Sequence, residues 1–203
     1  ASDFVLMWDN AYCVHHLTDT HDVILNMLEE CRKVGHEDRA LMFCSLSKVT
    51  FPGAGVAAMA ASRRNIDYIL KNMFPMIISF DKLNQVRHIR FLKDMDGLAA
   101  HMEKHRALLE PKFRAVLAIL DEGLSGCGSI ARWTKPNGGY FLSLYTLGGC
   151  AKRTVQLCRE AGVVLTDAGA AYPYGVDPQD SNIRIAPTFP PLDELETASR
   201  LLC

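Results

Sequence analysis

Lys48 stands in the segment of this 203-residue chain whose residue types are best suited to chemistry. Residues 44–55 read CSLSKVTFPGAG and follow the apolar run Ala40–Phe43. A lysine that is buried near other positive charge loses hydration, its pKa falls, and the neutral amine can form a Schiff base with a carbonyl compound. The competing interpretation is an exposed loop lysine, because lysines are seldom buried. The segment alone leaves both interpretations open.

Hydroxyl side chains flank this lysine, and glycines follow it. Ser45, Ser47 and Thr50 could donate hydrogen bonds to phosphate oxygens. Gly53 and Gly55 would allow backbone N–H groups to approach an anion closely. The segment therefore predicts a site for a small anionic ligand at the tip of a strand.

A second cluster of polar residues follows the apolar run Phe4–Trp8, which predicts a buried parallel strand. Asp9 and Tyr12 come directly after this run. In open α/β sheets, ligands bind outside the carboxyl ends of the strands. We therefore expect Asp9, Tyr12 and Lys48 to face one crevice.

These motifs resemble those of fold-type I pyridoxal 5'-phosphate (PLP) aminotransferases, specifically the C-terminal half. The resemblance rests on DNAY at residues 9–12, SLSK at 45–48, YPYG at 172–175 and RIAPTFPP at 184–191, and it extends from Val5 to Leu202. Within that family, the chain is most similar to the aspartate-aminotransferase subgroup related to the aminotransferase-like domains of MocR regulators. Several ordered motifs with suitable separations are far more specific than any one of them.

The resemblance implies a role for each residue near the cofactor ring. Asp9 would pair with the protonated pyridine nitrogen of PLP, which makes the ring an electron sink. Tyr12 would hydrogen-bond the phenolic oxygen of the ring. Lys48 would hold the cofactor as a Schiff base and later carry a proton between the substrate and the cofactor.

The resemblance also implies contacts for the phosphate and the substrate. Ser45 would bind the cofactor phosphate, with Ser47 and Thr50 as further candidates. Many family members place a phosphate-binding arginine eight residues after the lysine, and this chain has Val56 there. Arg63 and Arg64 come later and could substitute for it. Arg184 would clamp the substrate α-carboxylate through two parallel hydrogen bonds. Taken without its neighbours, the same arginine could instead form an ion pair with Asp177 or Asp180.

The composition argues against several other classes of function. The chain has 22 basic and 23 acidic residues, so no electrostatic argument favours nucleic-acid binding. No apolar run reaches the length of about 20 residues that a membrane-spanning helix needs. Seven cysteines without a Cys-x-x-Cys pair predict a reducing, cytoplasmic location. We expect no metal site, since His15-His16 has no third ligand at a suitable spacing. The pair at 101 and 105 does not match the metalloprotease pattern, which needs a glutamate directly after the first histidine, whereas here it follows two residues on.

The expected fold class is α/β. Residues 1–95 would form the C-terminal part of a PLP-transferase large domain with a mostly parallel sheet, and residues 96–203 the α/β small domain. Within these, the patterns predict a buried strand over 56–61, a strand over 162–166, and helices over 19–34, 77–94, 96–120 and 192–202.

The resemblance implies an aminotransferase that exchanges an amino group between an α-amino acid and a 2-oxo acid. The full-length enzyme would be a homodimer, and the chain alone is expected to be inactive. One alternative is another PLP-dependent reaction, such as β-elimination or decarboxylation, on the same residues. A second is the PLP-sensing domain of a MocR-type transcriptional regulator.

Overall fold

The computed structural model describes residues 3–203 and confirms an α/β fold. Residues 1 and 2, which begin the first predicted domain, lie outside the described residues. The strands are β1 (Leu6–Asp9), β2 (Ala40–Ser45), β3 (Ala57–Ala61), β4 (Ala131–Trp133), β5 (Leu142–Thr146) and β6 (Asn182–Ile185). The helices are α1 (Met27–Lys33), α2 (Arg63–Met73), α3 (Lys82–Leu92), α4 (Met95–Leu124), α5 (Ala151–Glu160) and α6 (Leu192–Leu202). Within the described part of the chain, no helix is long and apolar enough to cross a membrane.

The described residues form two compact units. The first comprises residues 3–14 and 22–103, and the second comprises 15–21 and 104–203. Helix α4 therefore contributes residues 95–103 to the first unit and the remainder to the second. The assignment of 1–95 and 96–203 to the large and small domains of an enzyme stays a prediction.

The sheet of the first unit has the order β1-β2-β3. Strand β1 runs parallel to β2, as the sequence predicts, with Leu6 opposite Ala40 and Asp9 opposite Phe43. Strand β3 runs antiparallel to β2, with Ser45 opposite Ala57. The parallel pair places the carboxyl ends of β1 and β2 side by side, which positions the residues that follow each strand.

Strands β1 and β3 form as predicted, but the prediction that they are buried is wrong. In β1, the side chain of Met7 is 69% exposed, so one face of this strand is open in the chain as described. In β3, Ala57, Ala58 and Ala60 are exposed although the strand itself forms as predicted. Small apolar residues predict the strand correctly, but burial depends on which elements cover it, and local pattern does not report that.

The first predicted helix is shorter than the sequence indicates. Its pattern extends over 19–34, whereas α1 begins at Met27 because Asn26 caps it. The Asn26 side chain accepts a hydrogen bond from Glu29 N (3.2 Å), which satisfies one of the free donors of the first turn. The apolar residues at 23–25 are exposed outside the helix.

A similar cap shortens the helix predicted over 77–94. Asp81 accepts a hydrogen bond from Asn84 N (2.9 Å), so α3 begins at Lys82. It ends at Leu92, because Lys93 adopts a positive φ of 65° that no regular helix contains. These two boundaries place Asn84 and His88 on one helix, four residues apart.

The second unit has an antiparallel sheet with the order β4-β5-β6. Apolar residues alternate along β5 and β6, and Leu142 and Leu144 lie opposite Ile185 and Ile183. These four side chains pack with α4, α5 and α6 in a continuous core that includes Val116, Leu120, Val155 and Leu195. The predicted strand over 162–166 is absent: these residues form no ladder, and in the described part of this sheet β6 pairs with β5 alone.

Candidate active site

Asp9 and the Lys48 segment leave the same edge of the first sheet. Asp9 lies opposite Phe43 in the parallel ladder, and Asn10 N donates a hydrogen bond to Phe43 O (2.8 Å). The Asp9 side chain turns back and accepts a hydrogen bond from Ala11 N (3.1 Å), which starts the turn that contains Tyr12. Asp9 and Lys48 are exposed and Tyr12 is half-buried. Residues from two adjacent strands are thus available at one edge.

The Lys48 turn is held by its own backbone. Val49 N and Thr50 N both donate to Leu46 O, at 3.0 and 2.9 Å, and Leu46 N donates to Val56 O (2.8 Å). Val49 is 2% exposed, so the residue after the lysine anchors the turn in the protein. Lys48 therefore extends from a fixed backbone.

The serines on either side of Leu46 form a hydroxyl pair. Ser45 Oγ donates to Ser47 Oγ (2.9 Å), and Ser47 N donates to Ser45 Oγ (3.1 Å). A Cβ atom built on Gly55 would lie 2.7 Å from Ser47 Oγ and 2.9 Å from Ser47 N. Glycine at this position therefore leaves room for the hydroxyl pair.

Thr50 has a different environment from the serines. Its hydroxyl lies 2.8 Å from His88 Nε2 and 3.2 Å from Leu46 O. The hydroxyl of this candidate phosphate ligand is therefore engaged within the protein.

Three side chains that the sequence did not indicate support the Lys48 turn. His88, which is 6% exposed, contacts Thr50, and Asn84 Nδ2 donates to Ala54 O (2.7 Å). His101 Nε2 lies 2.8 Å from Val49 O, so the ring donates to that carbonyl. Asn84 and His88 stand four residues apart on α3, a spacing that could have suggested a shared face but not its target.

Val56, at the position of the missing phosphate-binding arginine, supplies its carbonyl to Leu46 N, and its side chain lines a largely apolar cavity of about 530 Å³. The later arginines Arg63 and Arg64 point to other partners. Arg63 pairs with Asp67 (2.9 Å) and Arg64 with Asp38 (3.3 Å). Neither arginine is free of a carboxylate in this structure.

Arg184 belongs to the second unit. It lies on β6 opposite Ser143, and its guanidinium carbon is 4.7 Å from the centre of the Phe141 ring. Its Nε atom is buried and has no hydrogen-bond partner. A buried N–H group without a partner is costly, and a carboxylate ligand would satisfy it.

The two aspartates that could have paired with Arg184 have other partners. Asp177 is buried and accepts hydrogen bonds from Gln179 N, Ser181 N and Asn182 N at 2.8–3.0 Å. The bond from Ser181 N is the main cause that lowers the pKa of this carboxyl, and the other backbone bonds add to it against the opposing effect of desolvation. Asp180 accepts from Lys152 N (3.1 Å). The structure thus gives Arg184 no ion pair with either of them.

Comparison with known proteins identifies the family of this chain. All 203 residues match the family model described as aspartate amino-transferase. The chain therefore belongs to the aspartate aminotransferase family. Its link to MocR regulators is not part of this finding.

Individual relatives support this membership. The chain is 43% identical over 198 residues to the aspartate aminotransferase of Corynebacterium glutamicum, which covers 98% of this chain and 46% of that protein. It is 50% identical, over the same shares, to a provisionally named aminotransferase of Mycolicibacterium smegmatis. The crystal structure of a C. glutamicum aspartate transaminase superimposes with a TM-score of 0.95 at 42% identity, over 100% of this chain and 47% of that one. The chain therefore spans about half the length of the relatives it matches.

Proposed function

We propose that this chain is the C-terminal half of a PLP-dependent aminotransferase that exchanges an amino group between an α-amino acid and a 2-oxo acid. The observation that carries the proposal is the shared sheet edge of Asp9 and the Ser45–Lys48 turn, at the carboxyl ends of two adjacent parallel strands. Ligands bind at this edge in open α/β sheets. The family membership of the chain supports the same reaction class.

The residues at this edge fit PLP. Lys48 would hold its aldehyde, the exposed carboxylate of Asp9 its ring nitrogen, and the hydroxyl pair made possible by Gly55 its phosphate. When bound, PLP supplies an electron-withdrawing pyridinium ring that stabilises negative charge at the substrate Cα. Asp9 holds the proton on the ring nitrogen, and Tyr12 hydrogen-bonds the phenolic oxygen. Lys48 would hold the cofactor and, once the substrate amine displaces it, its freed amine would carry the proton to and from Cα.

Ser45 and Ser47 bind the cofactor phosphate in this proposal, and Thr50 is a weaker candidate because its hydroxyl contacts His88 and its N–H donates to Leu46 O. Arg184 binds the substrate carboxylate, and its buried, unpartnered Nε supports that role. The planar guanidinium offers two parallel donors to a carboxylate, which a lysine cannot reproduce. Substrate orientation would thus depend on this one side chain.

The remaining features of the full-length enzyme are inferred from the resemblance. We place it in the cytoplasm as a homodimer, and we expect the 203-residue chain alone to be inactive, since it spans about half of its relatives. An α-aminoadipate aminotransferase from Thermus thermophilus, which shares this fold at 21% identity and a TM-score of 0.76, was crystallised with N-(5'-phosphopyridoxyl)-L-leucine. A phosphopyridoxyl amino acid joins cofactor and substrate, which supports PLP as the cofactor here.

The test uses the full-length protein that contains this chain, loaded with PLP. Aspartate is the first donor to try, because a 43% identical relative is named for it. The proposal expects the cofactor absorbance to change on addition of an amino acid and to return on addition of a 2-oxo acid, with one new amino acid formed per cycle. Elimination or decarboxylation products without such cycling would replace this proposal with another PLP reaction. PLP binding without any turnover would favour a sensor.

A further inference from the structure

We infer that His88 is a positioning residue for Lys48, acting through Thr50 on the turn that carries the lysine. This inference rests on the proposed function, because it concerns the lysine that holds the cofactor. His88 lies 38 residues from Thr50 in sequence, on helix α3, and its ring is almost fully buried. Its Nε2 atom is 2.8 Å from Thr50 Oγ1.

The hydrogen bonds of His88 fix the ring in one orientation. Its Nδ1 atom lies 2.8 Å from Asn84 O. A carbonyl oxygen can only accept, so Nδ1 carries a proton. In the neutral ring Nε2 then accepts the single proton of the Thr50 hydroxyl, which lies closer to Nε2 (2.8 Å) than to Leu46 O (3.2 Å).

Thr50 passes this constraint to the lysine turn. Thr50 N and Val49 N both donate to Leu46 O, so the residue whose hydroxyl contacts His88 also bonds across the turn through its backbone. Leu46 and Thr50 stand on either side of Lys48, so these bonds close the turn around the lysine. Neighbouring contacts from Asn84 to Ala54 O and from His101 to Val49 O hold the same segment.

The hydrogen bonds of both ring nitrogens show that His88 does more than fill space in the core. A buried ring that met only apolar side chains would leave its nitrogens unsatisfied, and each would then carry an uncompensated cost of desolvation. Here one nitrogen is fixed by its own helix and the other faces the turn. We therefore expect the position of the Lys48 backbone, and with it the rate at which Lys48 captures PLP, to depend on His88.

The first readout requires no cofactor. Amide hydrogen exchange of the peptide covering 46–56 is measured in the PLP-free full-length protein for wild type, H88Q, T50V and the double variant. A buried hydrogen bond stabilises the folded segment by about 1 kcal/mol. Its loss in either single variant should therefore raise the exchange rate of this peptide about fivefold. Because both changes break the same contact, the double variant should exchange no faster than the singles. T50S keeps the hydroxyl and should restore slow exchange, and H36Q, at an exposed histidine of the same unit, is the matched control.

The second readout is the rate at which PLP labels Lys48, trapped by borohydride and located by peptide mapping. H88Q and T50V should each slow labelling by about fivefold, again without an added effect in the double variant. If wild-type Lys48 is labelled and the variants match it, or if their effects add, the inference about His88 is wrong while the proposed function stands. If wild-type Lys48 is never labelled, the proposed function fails and the role of His88 fails with it.

Discussion

The carboxylate of Asp177 accepts a hydrogen bond from the backbone N–H of Asn182 (2.9 Å), and this bond fixes the first residue of β6 two positions before Arg184. Further bonds from Gln179 N and Ser181 N make the same side chain the anchor of the whole loop. The orientation of the proposed carboxylate-binding arginine therefore depends on an aspartate that never contacts it.

D177N should make the stability of the protein less sensitive to acid. The pKa of Asp177 is lowered in the folded state, so its contribution to stability is complete above the ordinary pKa of about 3.9 and is lost as the pH falls through the folded value. We expect D177N to be less stable than wild type at pH 7 and to lose less stability than wild type between about pH 4 and lower pH. Denaturant midpoints at several pH values measure this, with D3N at an exposed aspartate as the control. Equal acid sensitivity in D177N and wild type would contradict the prediction.

R184K should raise KM for the amino acid while PLP binding stays unchanged. Lysine keeps the charge but loses the paired donors that suit a carboxylate. Hydrogen bonds to charged groups contribute about 1.5–3 kcal/mol, which corresponds to a change of about 10- to 100-fold. Steady-state kinetics of the full-length enzyme measure KM, and the absorbance of bound PLP gives cofactor affinity. An unchanged KM would show that Arg184 does not bind substrate.

F141L should have the same effect as R184K in a weaker form. The Phe141 ring lies against the Arg184 guanidinium at 4.7 Å, and such cation–π contacts contribute about 0.5–2 kcal/mol. KM should rise by a smaller factor than in R184K, and the double variant should add little, because both changes act on one guanidinium. F189L, at a phenylalanine that is 94% exposed, is the matched control. Equal KM values for F141L and F189L would show that the Phe141 ring does not help Arg184 to bind the substrate.

G55A should weaken PLP binding by disturbing the serine pair. The added methyl group would lie 2.7 Å from Ser47 Oγ, closer than real atoms approach, so Ser47 must move. Loss of a charge-assisted phosphate contact should raise the Kd for PLP by about tenfold. G126A is the control, because a Cβ there meets nothing within 4 Å. Equal Kd values for the two variants would show that the serines do not bind the phosphate.

The sequence predicts correctly those elements of the fold that are determined by the pattern of neighbouring residues. Helix α6 spans Leu192–Leu202 as its amphipathic period indicates, and β1 pairs with β2 in the predicted parallel sense. The predicted starts of α1 and α3 were wrong, because a single capping residue in each, Asn26 and Asp81, sets where the helix begins even when the apolar pattern starts earlier. The strand expected over 162–166 does not form, and Val164 within it is 78% exposed, because an apolar run alone does not determine whether a segment pairs with a sheet.

The residues of the candidate site also fall into those that the sequence predicts and those that only the fold reveals. Asp9, Lys48 and Arg184 stand in motifs that can be recognised from neighbouring residues alone. His88 and Asn84 lie about 30 residues or more from the turn they support, and only the fold brings them there. The roles assigned to Asp9, Tyr12, Ser45, Ser47, Lys48, Thr50 and Arg184 stay predictions.

The most direct test of the central claim is to locate the covalent attachment of PLP. The full-length protein is incubated with PLP, reduced with borohydride and digested, and the phosphopyridoxyl-bearing peptides are identified by mass spectrometry. The account predicts label on the peptide that contains Lys48 and its loss in K48R, which retains the positive charge. Label confined to other lysines, with Lys48 unmodified, would contradict it.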